Sequence, residues 1–257
     1  MGSTAGADRV VLLHGQPGAG IEWHGVVAAL DGAAELLAPD RPGYGDNPLG
    51  AIGFDANVDW LVQLLEEGGG RRAAVIVAHS WAGGVALSLA LRRPDLTRGL
   101  VLVGSVGPGA ITRTDRVLAR PLVGAVAART ATRVASPILR WRLTRSGLDE
   151  HTRIAMLDAL SASRARRVWR TFRTEQAALV HELPALFDRL GHIAAPTTIV
   201  GGARDRVVRP ATATALAAQV PDAELVTIPG GGHQLHRTHP ELIAGVVRRV
   251  LAESARP

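Results

Sequence analysis

The sequence predicts an α/β protein, a mostly parallel β-sheet flanked by helices and interrupted by a helical insertion. Three observations carry that prediction. Short apolar runs rich in β-branched residues alternate with stretches of helical patterning, the signature of strand-helix-strand crossovers. One long exception spans residues 108–190, where helical patterning continues without a good strand. At 257 residues and 47% hydrophobic, the chain can also bury one sizeable core.

Strands are expected at residues 10–13, 35–38, 74–78, 100–103, 197–200 and 225–228. Each run is too short for a helix and is bounded by turn residues, as buried parallel strands are. Helices are expected near 23–30, 55–67, 80–92, 210–219 and 240–251, the last two opening on a proline suited to a first helical turn. Residues 1–107 and 191–257 then form the core. Residues 108–190 form a helical cap, because a structureless loop of that length has no place in a compact domain. Residues 73–91 carry no formal charge, but His79, Ser80, Trp81, Gly83 and Gly84 interrupt them. A buried strand followed by a buried helix fits better than a membrane span.

There is no cysteine, which excludes disulfides, thiolate metal sites and a cysteine nucleophile. All 29 basic residues are arginine, so the formal charge of +6 is not lost near neutral pH. That charge is concentrated. Residues 109–173 hold 14 arginines against four acids (Asp115, Asp149, Glu150 and Asp158), a net +10, which leaves −4 for the rest of the chain. The opening "MGSTAGADR" has no apolar run, so no signal peptide is expected and a cytoplasmic location is.

In a parallel sheet, reacting groups gather at the carboxyl ends of the strands. Four expected strand ends carry such groups. "HGQPG" (His14 to Gly18) follows the first strand and Ser80, within "AVIVAHSWAGG", the third. "GGARDRVV" with Asp205 follows the fifth, and "PGGGHQLHRTHP" with His233 the sixth. A serine hydroxyl needs a base to become a nucleophile, and a histidine base needs a carboxylate to hold its tautomer.

The ordered set "HGQPG", "DRPGYG" (Asp40 to Gly45), "AHSWAGG", "GARDRVV" and "GGGH" resembles the α/β-hydrolase fold superfamily, in particular its small capped serine esterases, over residues 10–251. The resemblance implies that Ser80 is the nucleophile on a strained strand-to-helix turn, whose positions two before and two after must be small. Ala78 and Ala82 stand where the usual G-x-S-x-G has glycine, and remain small. It implies His233 as general base and Asp205 as the orienting acid; the other family position for the acid reads "VGSVGPG" and holds none. It implies the main-chain N–H groups of Gln16 and Trp81 as an oxyanion hole, with no cofactor and no metal. The "DRPGYG" loop and His14 are expected to be structural, and His24 and His79 partly buried. Three plainer readings stand beside these: a buried Ser80 bonding back to its helix, Asp205 paired with Arg204, Arg206 or Arg209, and His233, His236 and His239 as a metal site.

The implied activity is hydrolysis of a carboxylic ester or thioester through an acyl-Ser80 intermediate. Alternatives are a C–C bond hydrolase or a repurposed non-hydrolytic member of the fold, a cyclase, lyase or ligand receptor. Haloalkane dehalogenases and epoxide hydrolases carry an aspartate nucleophile where Ser80 stands. "HSW" with "HGQPG" also resembles proline iminopeptidases, but an arginine-rich cap would repel a free amine. The cap charge is an ordinary solvated surface, or it faces an anionic substrate, an acyl carrier protein or a membrane surface. Arg116 and Arg120, and Arg166, Arg170 and Arg173, have the spacing of a shared helical face. No nucleic-acid motif is present. The apolar cap residues Val117, Leu118, Leu122, Val123, Ile138, Leu139, Trp141, Trp169 and Phe172 await a fold to divide them between core and pocket. Family members begin with an antiparallel hairpin, for which the nine residues before Val10 leave no room. Either residues 35–38 are an exposed edge that invites a homodimer, or the chain is an N-terminally shortened version of something longer.

Overall fold

The computed structural model describes residues 8–67, 72–120 and 168–254, with scattered residues between 124 and 157. The described strands are β1 (Arg9–Leu13), β2 (Glu35–Leu37), β3 (Ala74–His79), β4 (Thr97–Val103), β5 (Thr197–Gly202) and β6 (Glu224–Ile228). The described helices include α1 (His24–Ala29), α2 (Phe54–Glu66), α3 (Ala82–Arg92), α4 (Arg113–Leu118), α5 (Val168–His181), α6 (Leu183–Phe187), α7 (Pro210–Ala217), α8 (Leu235–Thr238) and α9 (Pro240–Glu253). The strands form one sheet in the order β2-β1-β3-β4-β5-β6, and every neighbouring pair is parallel.

Burial on both faces explains the apolar runs. Every residue of β1, β3 and β5 is buried, so these strands show no polar alternation. Successive side chains still point to opposite faces. Val10 and Leu12 pack with Val75, Val77 and the α9 residues Ile243, Val247 and Val250, whereas Val11 and Leu13 pack with Ile76, Val58 of α2 and Val85 of α3. The chain leaves β1 outward to β2 and returns across it to β3. Strand order therefore reverses between β1 and β3, and an open α/β sheet has its crevice at such a point.

The differences from the expected elements have physical causes. β4 starts at Thr97 because main-chain pairing with Ala74 and Val75 continues below the apolar run, across a register shift. Gly99 fits there because a Cβ would come 2.5 Å from a methyl of Val250. The helix expected from 80 starts at Ala82, since Ser80 belongs to a turn, and the one expected from 23 is preceded by a 3-10 turn, Gly20–Trp23. β2 is the sheet edge and pairs with β1 over three residues. Its Glu35 accepts from the Arg9 guanidinium at 3.2 Å and pairs with Arg72 at 3.2 Å.

Within the segment expected to be the cap, α4 opens on a reciprocal box in which Thr112 Oγ1 accepts from Asp115 N–H at 3.2 Å and Asp115 Oδ2 from Thr112 N–H at 2.7 Å. α5 and α6 send Ala178, Leu179, Leu183 and Leu186 into the core. Just past α5, the Glu182 carboxylate accepts from the main-chain N–H groups of Phe54 (2.8 Å) and Asp55 (3.3 Å), capping α2 from outside. Gly53 allows this, because a Cβ there would overlap the carboxylate. Glu182→Ala is expected to lower the unfolding free energy by about 1 kcal/mol, as loss of a cap does. Urea denaturation measures it, and an unchanged midpoint would refute the capping role.

Candidate active site

Ser80 sits at the reversal point with φ +56°, a left-handed conformation that L-residues rarely adopt. The turn is held by three main-chain hydrogen bonds: Ser80 N–H donates to Val103 O (3.0 Å), and Ser80 O accepts from Gly83 (3.0 Å) and Val106 (3.1 Å). Ala78 and Ala82 are both fully buried beside it. Gly83 and Gly84 are required, because a Cβ would overlap Ser105 at the first and the Phe54 ring at the second. Phe54 thereby reaches Trp81 and stacks on it at 4.2 Å.

His233 closes on Ser80 from the loop after β6. Its Nε2 lies 3.0 Å from Ser80 Oγ and its Nδ1 2.8 Å from Asp205 Oδ2. The second oxygen of Asp205 accepts from the main-chain N–H groups of Val207 (2.8 Å) and Val208 (2.9 Å), so the carboxylate is fixed in direction. His233 is the ion-pair partner of Asp205 among the described residues, in place of the flanking arginines. Gly104, at the end of β4 and with φ +52°, makes room: a Cβ there would lie 3.3 Å from His233 Nδ1 and 3.5 Å from Asp205 Oδ2.

The "HG" turn abuts the same serine. A Cβ on Gly15 would lie 3.0 Å from Ser80 Cβ and 2.8 Å from His79 Nδ1. Among the described residues, the main-chain N–H groups of Gln16 and Trp81 have no main-chain acceptor. The Gln16 side chain donates to Phe172 O on α5 at 3.1 Å, so this helix leans over the turn. His14 donates from Nδ1 to Gly15 O (3.0 Å) and accepts at Nε2 from Arg41 N–H (2.9 Å), which fixes a neutral ring. Burial, with the Arg41 charge beside it, holds His14 well below the usual imidazole range.

Sequence reasoning missed three buried residues beneath the turn. Arg41, from the "DRPGYG" loop, donates to Glu175 Oε1 on α5 at 2.6 Å, and Tyr44 donates to the other Glu175 oxygen. Arg41 and Glu175 lie 134 positions apart, and nothing in either local sequence marks the pair. Burial pushes the Tyr44 hydroxyl up, with the Glu175 charge adding to it, so it remains a donor.

The remaining histidines separate. Rather than half-exposed, His79 is buried, because it donates from Nε2 to His233 O at 3.0 Å behind the site. His236 is sealed against the Trp23 ring at 4.7 Å, while His239 contacts Thr238 Oγ1. Among the described residues, no group of three His, Cys, Asp or Glu is arranged to hold a metal ion. In the segment expected to be the cap, Arg116, Arg120 and Arg170 are exposed, and Arg170 and Arg173 lie over the Trp169 ring at 5.4 and 5.9 Å. Val117, Ile138 and Trp141 are exposed, whereas Trp169 and Phe172 are half-buried. Leu122, Val123, Leu139 and Arg166 lie outside the described residues.

The model of the alpha/beta hydrolase family matches residues 10–246. The chain belongs to that family. A pimeloyl-[acyl-carrier protein] methyl ester esterase of Aromatoleum aromaticum is 30% identical over 255 residues, covering 93% of this α/β hydrolase and 98% of the relative. The polyketide synthase ThaQ of Burkholderia thailandensis is 31% identical over 260 residues, 96% of this chain but 12% of that protein's length. In three dimensions, the α/β hydrolase superposes on a thermophilic esterase from Thermogutta terrifontis with a TM-score of 0.76 at 21% identity, covering 97% of this chain and 91% of the other. Among the described residues, no helix is long and apolar enough to cross a membrane.

Beside the site, His236 Nε2 lies 3.6 Å from Glu22 Oε2. Burial pushes Glu22 up from 4.5 to about 7, with Arg237 opposing and Asp40 adding. Burial, Arg237 and the neighbouring His233 and His24 push His236 down from 6.5 to about 3. Glu22 therefore contributes stability that is present below pH 4.5 and lost as pH rises to about 7; His236 contributes stability present above pH 6.5 and lost as pH falls toward about 3. The slopes oppose each other between 4.5 and 6.5. Relative to the parent chain, Glu22→Gln is expected to gain stability as pH rises through that range, and His236→Gln to lose it. Denaturation at stepped pH measures both, and equal slopes in the two variants would refute the assignment.

Proposed function

We propose that this α/β hydrolase cleaves a carboxylic ester or thioester through an acyl-Ser80 intermediate, with residues 108–190 as a cap over a core of 1–107 and 191–257. The continuous path from Ser80 Oγ through His233 to Asp205 carries this reading. His233 Nε2 takes the hydroxyl proton as Oγ attacks the carbonyl carbon. Asp205 accepts the Nδ1 proton's hydrogen bond and stabilises the imidazolium. The carbonyl oxygen becomes an oxyanion that the Gln16 and Trp81 N–H groups receive. Collapse expels the alcohol or thiol, which leaves with the proton from His233. Water, deprotonated by the same ring, then releases the acid and restores Ser80.

Ser80→Ala is expected to abolish turnover of p-nitrophenyl esters and labelling by a fluorophosphonate while the fold persists. His233→Ala should be nearly as damaging, and Asp205→Asn should cost about 10⁴ in kcat, as loss of an orienting acid does. Undiminished labelling of Ser80→Ala would defeat the proposal.

For the substrate, we propose an acyl group carried by an anionic partner, such as an acyl carrier protein, met in the cytoplasm. Support comes from the net charge of residues 109–173 and from the relative named for an acyl-carrier-protein ester. Salt is then expected to raise KM for the carrier-bound substrate and not for a neutral ester, because screening confines the attraction to roughly 8 Å at physiological ionic strength. Replacing Arg166, Arg170 and Arg173 together with Gln should reproduce the salt effect. Equal salt dependence for the two substrates would leave an ordinary solvated surface.

A further inference from the structure

The carbonyl and N–H of one trans peptide point in opposite directions. In the peptide joining Gly15 to Gln16, the carbonyl is held by two donors, Arg41 Nη2 at 2.8 Å and His14 Nδ1 at 3.0 Å. Fixing that oxygen fixes the direction of the Gln16 N–H on the opposite side. The peptide cannot turn over without stripping both bonds from a buried carbonyl. The preceding carbonyl, His14 O, is held as well, by Arg41 Nε at 2.8 Å. One guanidinium thus grips two successive carbonyls of the "HG" turn, directly against Ser80.

Arg41 is itself aimed by the cap. Its side chain is fully buried, and Nη1 is paired with Glu175, also fully buried, on α5. Glu175 is held in turn by Tyr44, and its main-chain carbonyl accepts from Trp81 Nε1 at 3.1 Å. Arg41 also lies over the Trp81 ring at 4.6 Å. A single cap residue is therefore linked to both residues of the proposed oxyanion hole. It reaches Gln16 through Arg41, and Trp81 directly.

We propose that Arg41 and Glu175 are positioning residues for the reaction: Arg41 aims the Gln16 N–H at the developing oxyanion by gripping the carbonyl of the same peptide, and Glu175 makes that aim depend on the seating of the cap helix. A cation against the carbonyl also polarises the peptide, which strengthens the N–H as a donor. The effect belongs to the tetrahedral state, where the oxyanion exists, and not to the bound ester. The inference rests on the acyl-Ser80 reading.

The test compares Arg41→Lys and Glu175→Gln with Arg9→Lys. Arg9 is another buried arginine, paired with Glu35 and Leu65 O at the start of β1, the end of the strand opposite the "HG" turn. Rates on a short neutral p-nitrophenyl ester are expressed per site titrated by a fluorophosphonate, so unfolded protein is not counted. Arg41→Lys is expected to lower kcat about 100-fold, and Glu175→Gln about 10-fold, with KM within about 3-fold; loss of one oxyanion donor sets this scale. Affinity for a trifluoromethyl ketone, which becomes a tetrahedral oxyanion on Ser80, should fall by the same factors. Arg9→Lys should lower the melting temperature and leave both readouts unchanged. Should Arg41→Lys fail to fold, Glu175→Gln carries the same comparison. Unchanged kcat per titrated site in the folded variants, with only stability reduced, would overturn the positioning role while Ser80→Ala still abolished turnover. Turnover surviving in Ser80→Ala would overturn the acyl-serine reading and this inference together.

Discussion

A charge enclosed by protein must be completely partnered, and Arg41 imposes that requirement on everything around it. Removing a guanidinium from water costs several kcal/mol, recovered only when each donor finds a well-placed acceptor. Here the partners come from four parts of the chain: the turn after β1, the helix α5 and, through the aromatic faces of Tyr44 and Trp81, the loop after β2 and the turn after β3. None of these can move alone without exposing a bare charge. The surroundings of Ser80 are rigid because their disruption is expensive, not because any one contact is strong.

The sheet supplies the second constraint. Reversal of strand order between β1 and β3 brings the "HG" turn beside the serine turn, and each then demands small residues of the other. Gly15, Gly83 and Gly84 each occupy a place where a methyl group would collide with a neighbour of the site, and Gly104 holds a left-handed backbone beside it. Ser80 keeps its left-handed backbone because this packing over-determines it, at a cost of order 1–3 kcal/mol.

Much of this was legible in the sequence, and the part that was not shares one character. Buried strands announce themselves by local composition, so all six were readable to within a few residues. That Ser80, Asp205 and His233 come together was readable because strand ends mark them and their order along the chain is informative. The start of β4 was hidden because Thr97 and Gly99 pair through their main chain, and neither they nor Arg98 carry an apolar signal. Arg41, Tyr44 and Glu175 were hidden because their meaning is a contact over more than a hundred residues. A glutamate on a helix reads as a solvated charge until something places an arginine against it. His79 and His236 were misjudged or left open for the same reason: burial of a polar ring depends on neighbours that periodicity cannot name.

The pairing of Arg41 with Glu175 also bears on how such chains exchange parts. A cap inserted between two strands looks like a module that can be traded between relatives to change what the pocket admits. Here the segment carries the carboxylate that, among the described residues, pairs with the buried Arg41 beneath the Ser80 turn. A grafted cap without an acid at that place would leave an unpaired guanidinium under the turn, and the host would lose stability and catalytic geometry in one step. A graft onto this chain must therefore bring its own carboxylate to that place.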